Sequence, residues 1–290
     1  MPKSFILTIL YLFSQLVSTP ASGWGWEAHK LICGLAERKL TVKARGKIQL
    51  WLSESEGLEG GVMDFPEACL WPDTVKHSTR KDTYKHHFIN VPDDAYSVHF
   101  KRDCSATQCL ATGIEQALKE LSRDPKDKAG ITRRAAALRF LGHYIADLHQ
   151  PLHVGNASDW GGNKISVNWR EKKTNLHALW DYEMLDAIGL KHPKSLRYLM
   201  SIDPKHGHTT IEDWFNESLI LARIRAYKDA SGSKLTTGAT ISEAYFTRSK
   251  PIIIKRIRVA AARLAYLLNE ISEGKQIFIY RVKPSQSLSK

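Results

Sequence analysis

The chain of 290 residues is short of acid: 30 Asp and Glu stand against 42 Lys and Arg, giving a formal net charge of +12 with the histidines neutral. That surplus makes a polyanionic partner plausible, although a merely solubilising surface has the same sign. Long apolar runs are also missing. Beyond residue 23 none reaches the roughly eighteen residues that a membrane-spanning helix needs, so no membrane anchor is expected after that point. No Pro/Gly/Ser-rich linker, repeat or low-complexity tract divides the chain, which argues for one large domain. Strand signals are few as well; the best is Lys164–Trp169, able to form a short hairpin with residues near Lys172.

The first residues carry a lysine (Lys3), an apolar stretch from Phe5 to Val17 and then Thr19, Pro20, Ala21, Ser22 and Gly23. This is the pattern of a secretory signal peptide over residues 1–23, cut before Trp24 and leaving a tryptophan with a free α-amino group. The expected product is soluble, secreted or periplasmic, and monomeric. Residues 24–274 then form the domain and residues 275–290 a basic tail. The four cysteines of a secreted chain usually pair. Cys104 and Cys109 can close a small ring. Cys33 and Cys69 can form a second bridge, but Cys33 lies in an apolar helical pattern where a buried free thiol is equally plausible.

Apolar residues recur at three- and four-residue spacing over 27–40, 42–52, 110–121, 133–149, 175–188, 211–227 and 252–271, which reads as helix. The fold expected is all-α, a single mainly helical domain with at most a short β-hairpin. The last helix is apolar nearly all round and should cross the core; its Lys255, Arg256, Arg258 and Arg263 could hold nucleic acid, but charges extended outward around a buried helix are the favoured reading.

Two of these helices carry chemistry. In 133–149, Leu138, Leu141, Ile145 and Leu148 form an apolar stripe, while His143 and Asp147, four apart, share the adjoining face. The helix should end before Pro151, leaving His153 in the turn beyond. His177 and Asp181 repeat the four-residue spacing on a second helix. A lone His-x3-Asp pair is common by chance, but two such helices facing each other suggest a metal cluster of imidazoles and carboxylates. Trp71-Pro-Asp73, His86-His87-Phe88-Ile89-Asn90 and Trp24-Gly-Trp-Glu-Ala-His29 add further ligand types in short apolar contexts.

These motifs, in this order, resemble the zinc-dependent single-strand nuclease and 3′-nucleotidase family of the S1/P1 type, whose fold is related to zinc-dependent phospholipase C. The likeness runs from Trp24 to about Asn269. It rests on the N-terminal Trp-Gly with histidine five residues on, Trp-x-Asp, His-Phe-Ile, the run from Leu138 to His153, Gly161-Gly-Asn163 and Asn-Leu-His-x3-Asp. The resemblance implies three zinc ions: one at Asp73, His87 and His143 with Asp147 bridging; one at His153, His177 and Asp181; and one at the Trp24 amine and carbonyl, His29 and Asp147. It implies cleavage of single-stranded DNA and RNA to 5′-phosphate products and dephosphorylation of 3′-mononucleotides. Asp73 would orient the attacking water, Phe88 would stack a base, and Asn90 and Lys76 would stand where the family's fungal members carry aspartate and arginine. An amide offers both donor and acceptor, and a lysine lacks the arginine fork, so altered base preference is expected. From its own context Phe88 reads slightly better as core. His86, His99, His149, His192, His206 and His208 match no motif position and read as surface or packing residues, with His149, inside the Asp-Leu-His-Gln-Pro-Leu-His run, at most supporting a ligand from behind. The rival readings are a zinc-dependent phospholipase C, whose last ligand is typically glutamate, and a secreted metal- or nucleic-acid-binding protein without catalysis.

Overall fold

The computed structural model describes residues 24–104, 108–201 and 209–279. The proposed leader over residues 1–23, His206, His208 and the tail beyond residue 279 lie outside them. Along the chain, α1 (Trp26–Arg38) and α2 (Val42–Ser53) are followed by the short helices α3 (Phe65–Ala68) and α4 (Trp71–Val75). A 3-10 turn (Lys81–His87) leads into β1 (Ile89–Val91), then α5 (Phe100–Asp103), α6 (Leu110–Leu121) and α7 (Lys128–His149). After a second 3-10 turn (Pro151–His153) come β2 (Val154–Asn156), β3 (Ser166–Trp169), β4 (Lys172–Asn175), α8 (Leu176–Ala178) and α9 (Met184–Ile188). The chain continues through α10 (Leu196–Met200), α11 (Ile211–Leu221), β5 (Ala239–Thr240) and α12 (Glu243–Ser272).

The spine is α7, packed against α1, α2, α6, α11 and α12. From Ala135 to His149 every residue of it is buried, so the apolar stripe seen in the sequence occupies only part of a surface that is covered on all sides. Asp127 caps its N-terminus by accepting from the Gly130 amide at 2.7 Å. Gln150 leaves helical geometry with ψ 116°, as the residue before Pro151 must.

Small strands play a larger part than a lone hairpin. The hairpin forms as expected, with Val167 opposite Thr174, but β5 joins it in parallel to make three strands. A parallel pair, β1 with β2, sets Asn90 beside Gly155. It joins the segment after His87 to the segment after His153, and so ties two parts of the future site together. Three-residue strands leave no readable alternation, which is why the sequence did not show them. Nor is the stretch 175–188 one helix. It widens into a π turn (Leu179–Glu183), and a second π turn (Ala222–Ala226) ends α11; such widenings often mark functional positions.

Both disulfides form, Cys33–Cys69 and Cys104–Cys109, which removes the free-thiol alternative for Cys33. The charges on α12 correct another expectation. Lys255 is exposed, but Arg256 and Arg263 are each 4% exposed, and both are paired with Glu217. Arg256 also donates to the His149 carbonyl, and Arg263 Nη1 sits 3.0 Å from His149 Nε2. They bind α12 to α11 and α7 from inside. A histidine so buried between arginines is neutral, its pKa pushed down by desolvation and by both cations.

Gly142 lies where α7 meets the Cys33–Cys69 bridge, and a β-carbon there would collide with Cys69 Sγ. Helix propensity favours alanine by about 1 kcal/mol, while overpacking costs about 1–3 kcal/mol. Gly142→Ala is therefore expected to lower the chemical denaturation midpoint; a higher midpoint would show that the three helices are not packed this closely.

Candidate metal centre

The two His-x3-Asp pairs converge. His143 and Asp147 project from the buried half of α7, and His153 follows on the turn that Pro151 forces. His177 and Asp181 come from α8 and the π turn, His29 from α1, Asp73 from α4, and His87 from the end of the 3-10 turn before β1. Their ligand atoms fall into three groups, each within 4.8 Å: His29, Asp73 and His143; His87, His143 and Asp147; His153, His177 and Asp181. Every one of these side chains is buried.

Asp147 holds the centre. Its Oδ2 lies 3.1 Å from both His87 Nδ1 and His143 Nε2, and its Oδ1 lies 3.4 Å from His29 Nε2. His87 Nδ1 and His143 Nε2 are 2.9 Å apart, and Asp73 Oδ1 is 3.5 Å from each. In the other group His177 Nε2 is 3.2 Å from Asp181 Oδ2, and His153 Nε2 is 3.7 Å from Asp181 Oδ1. The His29 and His143 rings stack with centroids 4.0 Å apart.

The outer ring nitrogens are satisfied by the backbone. His143 Nδ1 donates to the Cys69 carbonyl at 2.7 Å, His153 Nδ1 to the His87 carbonyl at 2.6 Å and His177 Nδ1 to the Gly161 carbonyl at 2.7 Å. Each such bond fixes the tautomer and turns the Nε2 lone pair inward. Gly161 has to be glycine here: its φ is +61°, and a β-carbon would strike the Leu152 carbonyl. Sequence reading missed these carbonyls, since any residue type supplies one. It also missed Gln150, whose amide donates to Asp181 Oδ1 at 2.6 Å while its carbonyl accepts from the Leu152 amide. The signal was present, because Gln150 stands inside the His-Gln-Pro-Leu-His run.

Charge shows what the cluster lacks. Burial alone would raise the Asp73 carboxyl, yet His143, Lys76 and His87 hold it well below the usual range. Burial would lower His143, but Asp147 and Asp73 push it up to about 10. Burial and the Lys76 cation push His87 down to about 3. Three buried carboxylates thus demand positive charge that the imidazoles supply only by binding protons. Meanwhile both nitrogens of His29, and Asp73 Oδ2, Asp147 Oδ1, His153 Nε2 and Asp181 Oδ2, are buried without hydrogen-bond partners. Leaving so many unpaired is costly, and metal cations satisfy them directly. Imidazole nitrogen and carboxylate oxygen are ligands that suit zinc.

Three members of the cluster, His87, His153 and His177, line a cleft of about 520 Å³ together with Lys76, Phe88, Asn90 and Trp160 among others. Lys76 Nζ donates to Asp73 Oδ1 at 2.6 Å. Phe88 is half-buried and faces this cleft, edge-on to Tyr84, which overturns its reading as core. His86 and His149 are buried away from the ligands, His86 against Tyr144, whereas His99 is exposed and His192 packs on Gly34.

Residues 24–273 match the S1/P1 nuclease family. The chain belongs to that family. It is 32% identical to Endonuclease 4 of Arabidopsis thaliana, over 91% of this chain and 94% of that protein. Endonuclease 1 of the same plant is likewise 32% identical, over 92% of each chain. Nuclease S1 of Aspergillus oryzae is 26% identical over 86% of this chain and 92% of its own length. S1/P1 nucleases are zinc-dependent phosphodiesterases, so the protein is an enzyme acting on nucleic acid, and the phospholipase and binding-only readings fall away. Among the described residues no helix is long and apolar enough to cross a membrane.

If Gln150 holds Asp181 in place for zinc, Gln150→Leu should weaken zinc binding about 10- to 100-fold. Competition with a chelator reads this without any substrate, and an unchanged affinity would remove Gln150 from the centre.

Proposed function

We propose that the protein is a secreted endonuclease that cuts single-stranded DNA and RNA to 5′-phosphate products, removes the phosphate of 3′-mononucleotides, and holds three zinc ions. Asp73, His87, His143 and Asp147 hold the first, His153, His177 and Asp181 the second, and His29, Asp147 and the Trp24 terminus the third. The observation that carries this reading is the set of clustered, buried and unpartnered imidazole and carboxylate atoms next to the cleft that His87, His153 and His177 line. Bound zinc lowers the pKa of a coordinated water and offsets charge on a phosphodiester.

The side chains supply the remainder. Asp73 has one oxygen held by Lys76 and the other without a partner, so it can accept a hydrogen bond from the attacking water and set its direction. Lys76, almost wholly buried at the cleft wall, places a positive charge beside the phosphate. Phe88 offers a face on which any base can stack, and Asn90 offers both a donor and an acceptor to a base edge. Ligands at the bottom of a cleft reach phosphorus only when the backbone is free of its partner strand, which supports a single-strand preference.

Trp24 supports the terminal zinc assignment. Its indole is buried, and the next amide, Gly25, donates to the Asp181 carbonyl at 2.8 Å, which seats the N-terminus against the ligand segment. A free amine has a lone pair for zinc, whereas an amide has none. Processing at residue 23 thus completes the site.

Two experiments test this reading. Asp73→Asn should reduce hydrolysis of single-stranded DNA by at least about 100-fold, the scale of general-base assistance, with the fold intact by circular dichroism; activity within a few-fold of the parent would sink the assignment. Retention of Ser22 and Gly23 ahead of Trp24 should lower the zinc content measured by atomic absorption and abolish turnover. Full zinc loading of that extended form would refute the role of the amine.

A further inference from the structure

Trp160 stands in an unfavourable state on two counts. It is 59% exposed, so its large apolar surface remains in water, and its φ is +55°, in the left-handed region that disfavours any residue with a β-carbon. Neither burial nor backbone preference explains it. The surrounding loop imposes the conformation. Buried Asp159 accepts from the Gly162 amide at 2.6 Å and from the Tyr227 hydroxyl at 2.8 Å. Asn163 donates to the Trp160 carbonyl from its side chain at 2.8 Å and from its amide at 3.3 Å. Strain that the surroundings over-determine in this way, and that aims a side chain into a cleft, points to function.

The ring has a cation over one face and a cleft before it. Lys164 Nζ lies 4.2 Å from the indole centroid and donates to the Ser158 carbonyl at 3.3 Å. Trp160 and Lys164 line the same cleft as Phe88, His87, His153 and His177. An exposed indole with an ammonium over one face suits a base stacked on its other face, with the phosphate beside the ammonium.

We infer that Trp160 and Lys164 form a second nucleotide subsite, taking the base and phosphate of a neighbouring nucleotide on the strand whose first base stacks on Phe88. The subsite rests on the nuclease reading of this cleft and deepens it: the preferred substrate is a single strand of at least two nucleotides. It is indifferent to base identity, because stacking uses the face that every base has.

The test uses the zinc-loaded enzyme with two substrates, an oligothymidylate of about eight nucleotides and bis(p-nitrophenyl) phosphate, a diester without bases. In Trp160→Gly, which the backbone tolerates at this φ, the rise in KM for the oligonucleotide should exceed that for the small diester by about tenfold, the scale of one lost stacked base. Trp160→Phe should recover most of the difference. A nuclease-resistant phosphorothioate oligothymidylate should quench the tryptophan fluorescence of the parent more than that of Trp160→Phe. Equal shifts for both substrates together with a lowered melting temperature mean that the indole is structural, and overturn the subsite while leaving the nuclease intact. If the parent turns over neither substrate, the nuclease reading falls. The quenching comparison then decides the subsite by itself, equal quenching overturning it.

Discussion

Asp147 sits fully buried near the C-terminal end of the long buried stretch of α7, with imidazole nitrogens of His29, His87 and His143 around its two oxygens. A carboxylate withdrawn from water loses its hydration, and only cations or hydrogen bonds can replace that loss. The rest of the architecture serves this one demand. The helices α1, α2, α6, α11 and α12 cover α7 so completely that Asp147 meets no solvent, and each chain segment that reaches the centre brings a ligand to it. A buried cluster with three partly neutralised carboxylates would be a defect in an ordinary core. Next to a cleft it suits metal, because zinc would answer both the charge and the unpaired ligand-type atoms.

The precision of that centre comes mostly from the main chain. Three histidines are aimed by carbonyls of Cys69, His87 and Gly161, and each of those residues is fixed by something else: a disulfide, the parallel pairing of β1 with β2, and a left-handed glycine against Leu152. One of the carbonyls belongs to His87, itself a candidate ligand, so the two main groups are mechanically coupled. A shift of the His87 backbone moves His153 as well.

That division explains what the sequence disclosed. The candidate ligands that the fold gathers were legible, because imidazoles and carboxylates are specific residue types and their four-residue spacing on helices has a physical meaning. Helix existence was legible for the same reason of period. The aiming carbonyls were not, since they carry no residue signature. The three-residue strands were too short for alternation to register. Arg256 and Arg263 looked like outward charges because α12 shows only its own periodicity; the partner that holds them, Glu217, lies on another helix. Phe88 looked like core because it follows a buried ligand, and only the three-dimensional cleft shows its exposed face.

The contrast between floor and wall is where stability and function separate. In the cluster, ordering and burial work together, so the same contacts that fold the chain also gather the imidazoles and carboxylates. On the wall, Trp160 keeps an apolar ring in water on a backbone that resists it, and Asp159, Tyr227 and Asn163 have to hold it there. A chain optimised for folding alone would place glycine at that position. An indole there fits a loop shaped to present it to the cleft, and the cation over the ring together with His87, His153 and His177 in the same lining suits a phosphate-bearing strand.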